Sequence, residues 1–514
     1  MTKRAVRLSI QLMALAGPAA AQLISIKTVP IAQGDQFDIF PSNNFGMGGV
    51  SIALADTLLD PFINPAKGGR LGAARFFSAP TVYGISQNAG GGRTLPLAAI
   101  AGSGAWFGGL SLALQEVDAS RPPTNGDVVF NAPTQGLAAF DTAAVPPPLP
   151  TIPPRKDAYG NQYAFGMVGK RLPGARVSLG ASLMWARLTG VDGVDLLYAG
   201  SAGLKQFGHT LDVRLGLLKE WTGDRSLEAL VLLDRFGMRH DVGYLDPVWD
   251  PGTQRQILRT RLEHNFDRTN TWGVHLQYQR PLAASGWRIG WLATANRMSH
   301  PKLPEYELAN VPVIPRDPGH SAAYNVGLGL SKTSGPATFA IDAIFEPIWS
   351  YTWADAASPV VTTMGDTIPA GGKTVENRFR FSNGLFRMGV SRDVALPSLG
   401  KALGLQLGLV VQSVHYRLAQ YDNVQAAARS LEEGWREWSP TWGLSLRFPD
   451  LEIRYRGRAT HGTGRPGVQP SGVFFAARDL AVAGSSILVA PSGPLSLTEV
   501  RTTTHQISVS LPLR

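Results

Sequence analysis

In Leu451-Glu452-Ile453-Arg454-Tyr455-Arg456 every second residue is charged and those between are apolar. Successive side chains of a strand leave on opposite faces, so this stretch needs one apolar and one wet surface. A sandwich with a dry core offers no such place, whereas a barrel with lipid outside and water inside does. The same period recurs along the chain. Leu110, Leu112 and Leu114 alternate with Ser111, Ala113 and Gln115. Trp272, Val274, Leu276 and Tyr278 alternate with Gly273, His275, Gln277 and Gln279, and Leu403, Leu405, Leu407, Leu409 and Val411 with Gly404, Gln406, Gly408 and Gln412.

The connections follow a matching rhythm. Arg171-Leu172-Pro173-Gly174, Thr222-Gly223-Asp224-Arg225, Ala284-Ser285-Gly286, Thr333-Ser334-Gly335-Pro336 and Phe448-Pro449-Asp450 read as tight turns. Longer polar or Pro/Gly-rich stretches lie near 191–206, 242–266, 299–318, 353–377, 421–434 and 461–500. Short turns on one side and long loops on the other predict an all-β transmembrane antiparallel barrel over 71–514, with roughly 14 to 16 strands of about 10 residues each. Residues 118–160, with Arg121-Pro122-Pro123, Val145-Pro146-Pro147-Pro148 and Ile152-Pro153-Pro154, suit a long loop and no central strand. The last strand, Gln506 to Arg514, keeps the alternation, although Arg514 stands where an outer-membrane barrel ordinarily ends in an aromatic. Trp106, Trp221, Trp287, Trp349, Tyr351 and Trp435 near strand ends suit interfacial girdles or a ligand path.

Lys3, Arg4 and Arg7, an apolar run from Leu8 to Ala16 and the small residues Gly17 to Ala21 predict a signal peptide over 1–21. No later run of about 18 apolar residues suggests a membrane-spanning helix. Export to the bacterial outer membrane is the expectation. With 0 cysteines, disulfides and thiolate chemistry are excluded. The net charge of +10 comes from basic residues scattered singly, which suits a solvated lumen and loops better than nucleic acid.

Before the barrel, the stretch Phe45-Gly46-Met47-Gly48-Gly49-Val50-Ser51-Ile52-Ala53-Leu54-Ala55-Asp56 runs on to Asp60-Pro61 and Asn64-Pro65-Ala66. Its glycines allow positive φ and close backbone approach. Asp60 and Asn64 each precede a proline, as helix-start caps do. A compact, irregular plug over 22–70 is the local reading. The glycine lead, the Ala53-Leu54-Ala55-Asp56 run and the Asn64-Pro65-Ala66 triplet resemble the hatch of the FadL-type outer-membrane family, channels for long-chain fatty acids and aromatic hydrocarbons. That resemblance implies 14 strands, a hatch in the lumen, and gating residues at Gly46, Gly48, Gly49, Asp56, Asn64, Pro65 and Ala66. It further implies hydrophobic small molecules as ligands, outer-membrane lipid as the surroundings, and a sideways exit through the wall.

Enzyme chemistry finds little support in the residues. His240-Asp241 pairs a candidate base with an orienter, but neighbours in a strand face opposite ways. His209, His264, His275, His300, His320, His415, His461 and His505 lack metal-ligand spacing. No cofactor motif has its required context. Passive uptake of hydrophobic compounds past a hatch is the leading expectation. A non-transport outer-membrane barrel, acting as a docking, shuttle or structural component for secreted proteins, is the alternative, with its protein partner unknown.

Overall fold

A computed structural model describes residues 23–28, 30, 32, 34–119, 158–192, 194, 202–250, 252–282, 285–300, 306–308, 311–313, 318–356, 359–396, 401–466 and 497–513. The expected signal peptide and most of the Pro-rich loop lie outside the described residues, as does Arg514.

The wall begins with β1, a strand in two pieces, Ala74–Ser78 and Thr81–Ile85, split at Ala79-Pro80. Then follow β2 (Gly91–Ser103), β3 (Trp106–Asp118), β4 (Ala158–Leu172), β5 (Val177–Leu188), β6 (Gly203–Trp221), β7 (Arg225–Asp250) and β8 (Arg255–Leu282). The second half comprises β9 (Trp287–His300), β10 (Gly319–Ser334), β11 (Ala337–Asp355), β12 (Lys373–Leu396), β13 (Lys401–Asp422), β14 (Ala427–Arg447), β15 (Glu452–Pro466) and β16 (Leu497–Leu513). Each strand pairs antiparallel with the next, and β1 closes the ring by pairing with both β2 and β16, Ala74 opposite Leu513. The barrel therefore has 16 strands, the upper bound of the segmentation and two more than the resemblance implies.

Exposure along β3 fixes which way the wall faces. Leu110, Leu112 and Leu114 are 63–70 % exposed, while Ser111, Ala113 and Gln115 are at most 4 % exposed. Apolar side chains point out and polar ones point in, the inverse of a water-soluble domain. This is a barrel of the outer-membrane type. At the short-turn end, Lys170 lies 5.1 Å over the Trp106 ring, Lys219 5.9 Å over Trp221 and Lys332 5.2 Å over Trp287. Such pairs suit a water–lipid boundary, where the ring stays apolar and the ammonium reaches headgroups.

Two stretches expected as loops are strand instead. Residues 242–266 continue β7 and β8 to a tight turn, with Asp250 paired to Arg255, and 421–434 likewise continue β13 and β14. Their charges mask the period, because a strand that projects beyond the bilayer has water on both faces. For the same reason the strands after β1 run from 12 to 28 residues, beyond the length that crossing a bilayer requires.

Candidate functional site: the N-terminal segment against the inner wall

The segment ahead of β1 carries little regular structure: a 3-10 turn at Phe45–Met47, one α-helical turn at Asp60–Ile63 (α1), and a 3-10 stretch at Pro65–Arg70. It is held in shape by one carboxylate. Asp56 accepts hydrogen bonds from Ser42 Oγ (2.5 Å) and from the backbone N–H groups of Asn43 (2.8 Å), Asn44 (3.1 Å), Leu58 (3.2 Å) and Leu59 (3.1 Å). Five hydrogen bonds to one side chain tie together two arms that lack a ladder. Gly48 and Gly49, at φ 75° and 68°, turn the chain between those arms. Asn64 caps the stretch after it, accepting the Ala66 N–H at 3.1 Å. Asp60 does not cap α1; it is the first helical residue, and its carboxylate instead accepts the Asp56 N–H at 3.1 Å.

The segment rests on the polar face of strands from opposite sides of the ring, which puts it in the lumen. Three cross-strand pairs of wall glycines form its seats: Gly389 with Gly408, Gly290 with Gly329, and Gly180 with Gly216. A Cβ at any of them would lie under 3.0 Å from the segment, at Met47–Gly48, Ile52–Ala53 and Asn64–Ala66 respectively. Polar side chains flank each seat. At the first, Thr441 Oγ1 donates to Gly46 O (3.0 Å) and accepts from Gly48 N (2.9 Å), while Arg387 donates to Gly49 O (3.2 Å). At the second, Asp342 accepts the N–H groups of Ser51 (2.7 Å) and Ile52 (3.3 Å), and Ser331 donates to Ala53 O (2.8 Å). At the third, Arg214 donates to Ile63 O (3.0 Å), and Asn64 donates to Glu228 (3.1 Å). Lys67 bridges Glu228 at 2.9 Å and Asp60 at 3.2 Å, all three buried.

All seven residues singled out in the sequence thus lie in this segment. Gly46, Gly48 and Gly49 gather at the first seat, Asn64, Pro65 and Ala66 at the third, and Asp56 stands between. Lys67, Glu228 and the seat glycines escape sequence reasoning, although Lys67 directly follows the triplet.

Burial pushes the Asp60 carboxyl up to about 6 against the pull of Lys67. Burial, with the nearby charge of Asp35, pushes Asp38 up to about 7 against Arg458 and Arg387. Both values exceed the ordinary 3.8, so the docked segment favours the protonated acids. The stability they contribute is full below about pH 3.8 and is lost as pH rises through 6 to 7. Amides of residues 34–66 should therefore be better protected from hydrogen exchange at pH 5 than at pH 8, after correction for intrinsic rates. Equal or weaker protection at pH 5 would contradict this.

Nearer the long-loop end the inner wall becomes apolar. Phe379, Phe381, Val414, Tyr416 and Leu418 cluster with Ile24, and Trp435 packs against them. Trp435 therefore faces inward, whereas Trp106, Trp221 and Trp349 are exposed outside. A second inner cluster gathers Ile39, Tyr163, Leu188, Phe236 and Met238 beneath Phe37 and Phe40. The His240-Asp241 neighbours do not meet. Asp241 bonds His264 Nδ1 (2.5 Å) and Arg239 Nε (2.6 Å), while His240 is buried on the opposite face.

No protein-family model matches the chain, and no curated protein does. Among solved structures, it is similar to a Pseudomonas aeruginosa FadL homologue at 13% identity, over 94% of this chain and 100% of that one, with a TM-score of 0.44. The Ralstonia pickettii toluene transporter TbuX shares 10% identity over 95% of this chain and 100% of its own, at 0.37. A bacterial polysaccharide outer membrane secretin shares 7% over 86% and 99%, also at 0.37. All three scores fall below 0.5, so the barrel rests on its own closed ladder and outward leucines. The chain is similar in fold to outer-membrane barrels, FadL-type transporters among them.

Proposed function

We propose that this barrel passes hydrophobic compounds, such as long-chain fatty acids or aromatic hydrocarbons, across the outer membrane, with residues 22–70 as a movable hatch. The observation that carries this reading is the inward aromatic patch of Phe379, Phe381, Tyr416 and Trp435, which Ile24 and Ile26 of the segment cover. A lumen meant for polar solutes gains nothing from such a lining, whereas an apolar ligand leaving water does. The segment covers this lining and rests on the wall glycines, so in this reading a ligand reaches the patch and descends only where the segment gives way. Its hold is divided among three seats, and Asn64-Pro65-Ala66 forms the last before the wall begins. In this reading Gly46, Gly48 and Gly49 let the hatch hinge at the first seat, and Asp56 keeps it one body.

The test is uptake of a labelled long-chain fatty acid and an aromatic hydrocarbon into liposomes carrying the refolded protein. Wild-type uptake should saturate, and the Asn64→Ala/Pro65→Ala variant should change the rate without loss of the folded barrel. No uptake by folded wild type would defeat the transport reading and favour a docking barrel, whose mark would be a stoichiometric secreted partner on co-purification.

A further inference from the structure

On the outer face of β9 to β13 a groove of about 690 Å³ runs between Trp291, Val326, Phe345 and Phe386, with Gly384 and Ser413 in its floor. It exists because Gly384 adds no side chain between Phe345 and Ser413, its partners on either side, and a Cβ there would meet open space. The groove's floor ends at a row of cations. Arg436 is paired with Ser413, and Arg380 stands directly opposite Arg417 four residues further along each strand, with Ser382 and His415 between. All three arginines are exposed on the outward face. Arg417 has Glu432 at 3.2 Å, but Arg380 and Arg436 have no ionic partner among the described residues. Two like charges facing each other across a ladder are unfavourable without an anion between them. Phosphate oxygens suit guanidinium donors in pairs.

We propose that this surface holds a phosphate-bearing lipid of the outer leaflet, with an acyl chain in the groove over Gly384 and a headgroup phosphate between Arg380 and Arg417. The proposal rests on the reading that the long-loop end faces out of the cell. Groove and cations lie in succession on one face of the same strands, so apolar tail and anionic head are met by a single molecule. The occupant is a lipid and not a free anion, because the groove has no use in binding phosphate alone.

The test is native mass spectrometry of the full barrel in mild detergent, titrated with a bisphosphorylated, multiply acylated glycolipid and with the same lipid after phosphatase treatment. Wild type should retain the phosphorylated form. The Arg380→Gln/Arg417→Gln variant should bind it roughly tenfold or more weakly, at about 1 kcal/mol per charge removed. Gly384→Leu, which fills the groove and keeps every charge, should also bind more weakly. Inorganic pyrophosphate should fail to displace the lipid. Equal retention of both lipid forms, unchanged binding by the double arginine variant, or displacement by pyrophosphate would each overturn the proposal. Insertion into liposomes, followed by heat-modifiable migration, is measured alongside. A barrel that fails to insert defeats the membrane reading itself, whereas one that inserts but does not discriminate the lipids defeats only this inference.

Discussion

Removing residues 23–70 from the exported chain should turn a closed barrel into an ion-conducting pore. A ring of 16 strands is wide enough to leave an aqueous channel when nothing fills it. At the level of the seats the inward wall positions are glycines, Gly180, Gly216, Gly290, Gly329, Gly389 and Gly408, which leave the bore to the segment's own backbone. Without the segment, those positions would line open water. Single-channel recordings in planar bilayers should show long-lived conducting states for the shortened protein and mainly closed records for the full chain. Similar conductance for the two would mean that the segment does not occlude the lumen.

The second large effect is expected at Lys67. At pH 8, above the value to which burial raises Asp60, Lys67→Met leaves the carboxylates of Glu228 and Asp60 facing each other in a buried site with no cation between them. Breaking one side of a buried ion pair costs about 3–5 kcal/mol. That penalty falls on the docked state, since undocking returns both acids to water, and it corresponds to roughly a hundredfold or greater rise in the undocked population. Hydrogen exchange across residues 45–66 should accelerate by that order, while the ladder amides of β2 and β3 keep their protection. Adding Glu228→Gln to Lys67→Met removes one orphaned charge and keeps an acceptor for Asn64, so much of the lost protection should return. Loss of protection throughout the barrel would show that Lys67 serves folding of the wall and not docking alone.

How much of this was legible in the sequence varies with what surrounds each stretch. Strand β3 declares itself because lipid on one face and the lumen on the other impose strict alternation on Leu110 to Gln115. Strands β7 and β8 beyond the bilayer do not, because water on both faces removes the period that marks a strand. The glycine lead and the Asn64-Pro65-Ala66 triplet mark an irregular, tightly seated segment, yet nothing local points to its seats. Gly408 lies some 360 residues from Gly48, and Glu228 lies 164 from Asn64. A glycine on the wet face of a strand reads as a small lumen residue until the partner backbone is seen against it. Trp435 escapes for another reason: aromatics near strand ends suit both faces, and only the phase of its neighbours Glu437, Ser439 and Thr441, all buried, turns it inward.

The central claim, that passage requires the segment to move, is tested most directly by locking it. The chain has 0 cysteines, so an engineered pair stands alone. A Cβ at Gly329 would lie 2.6 Å from the Ile52 Cβ, and a disulfide needs about 3.8 Å, so Ile52→Cys/Gly329→Cys closes with a shift of roughly an ångström. Labelled fatty acid uptake into liposomes is then measured on one preparation, oxidised and after reduction. The account predicts uptake that is strongly reduced in the oxidised form and restored by reductant. Equal uptake with the disulfide intact would show that hydrophobic compounds cross without movement of the segment, or do not cross by this lumen at all.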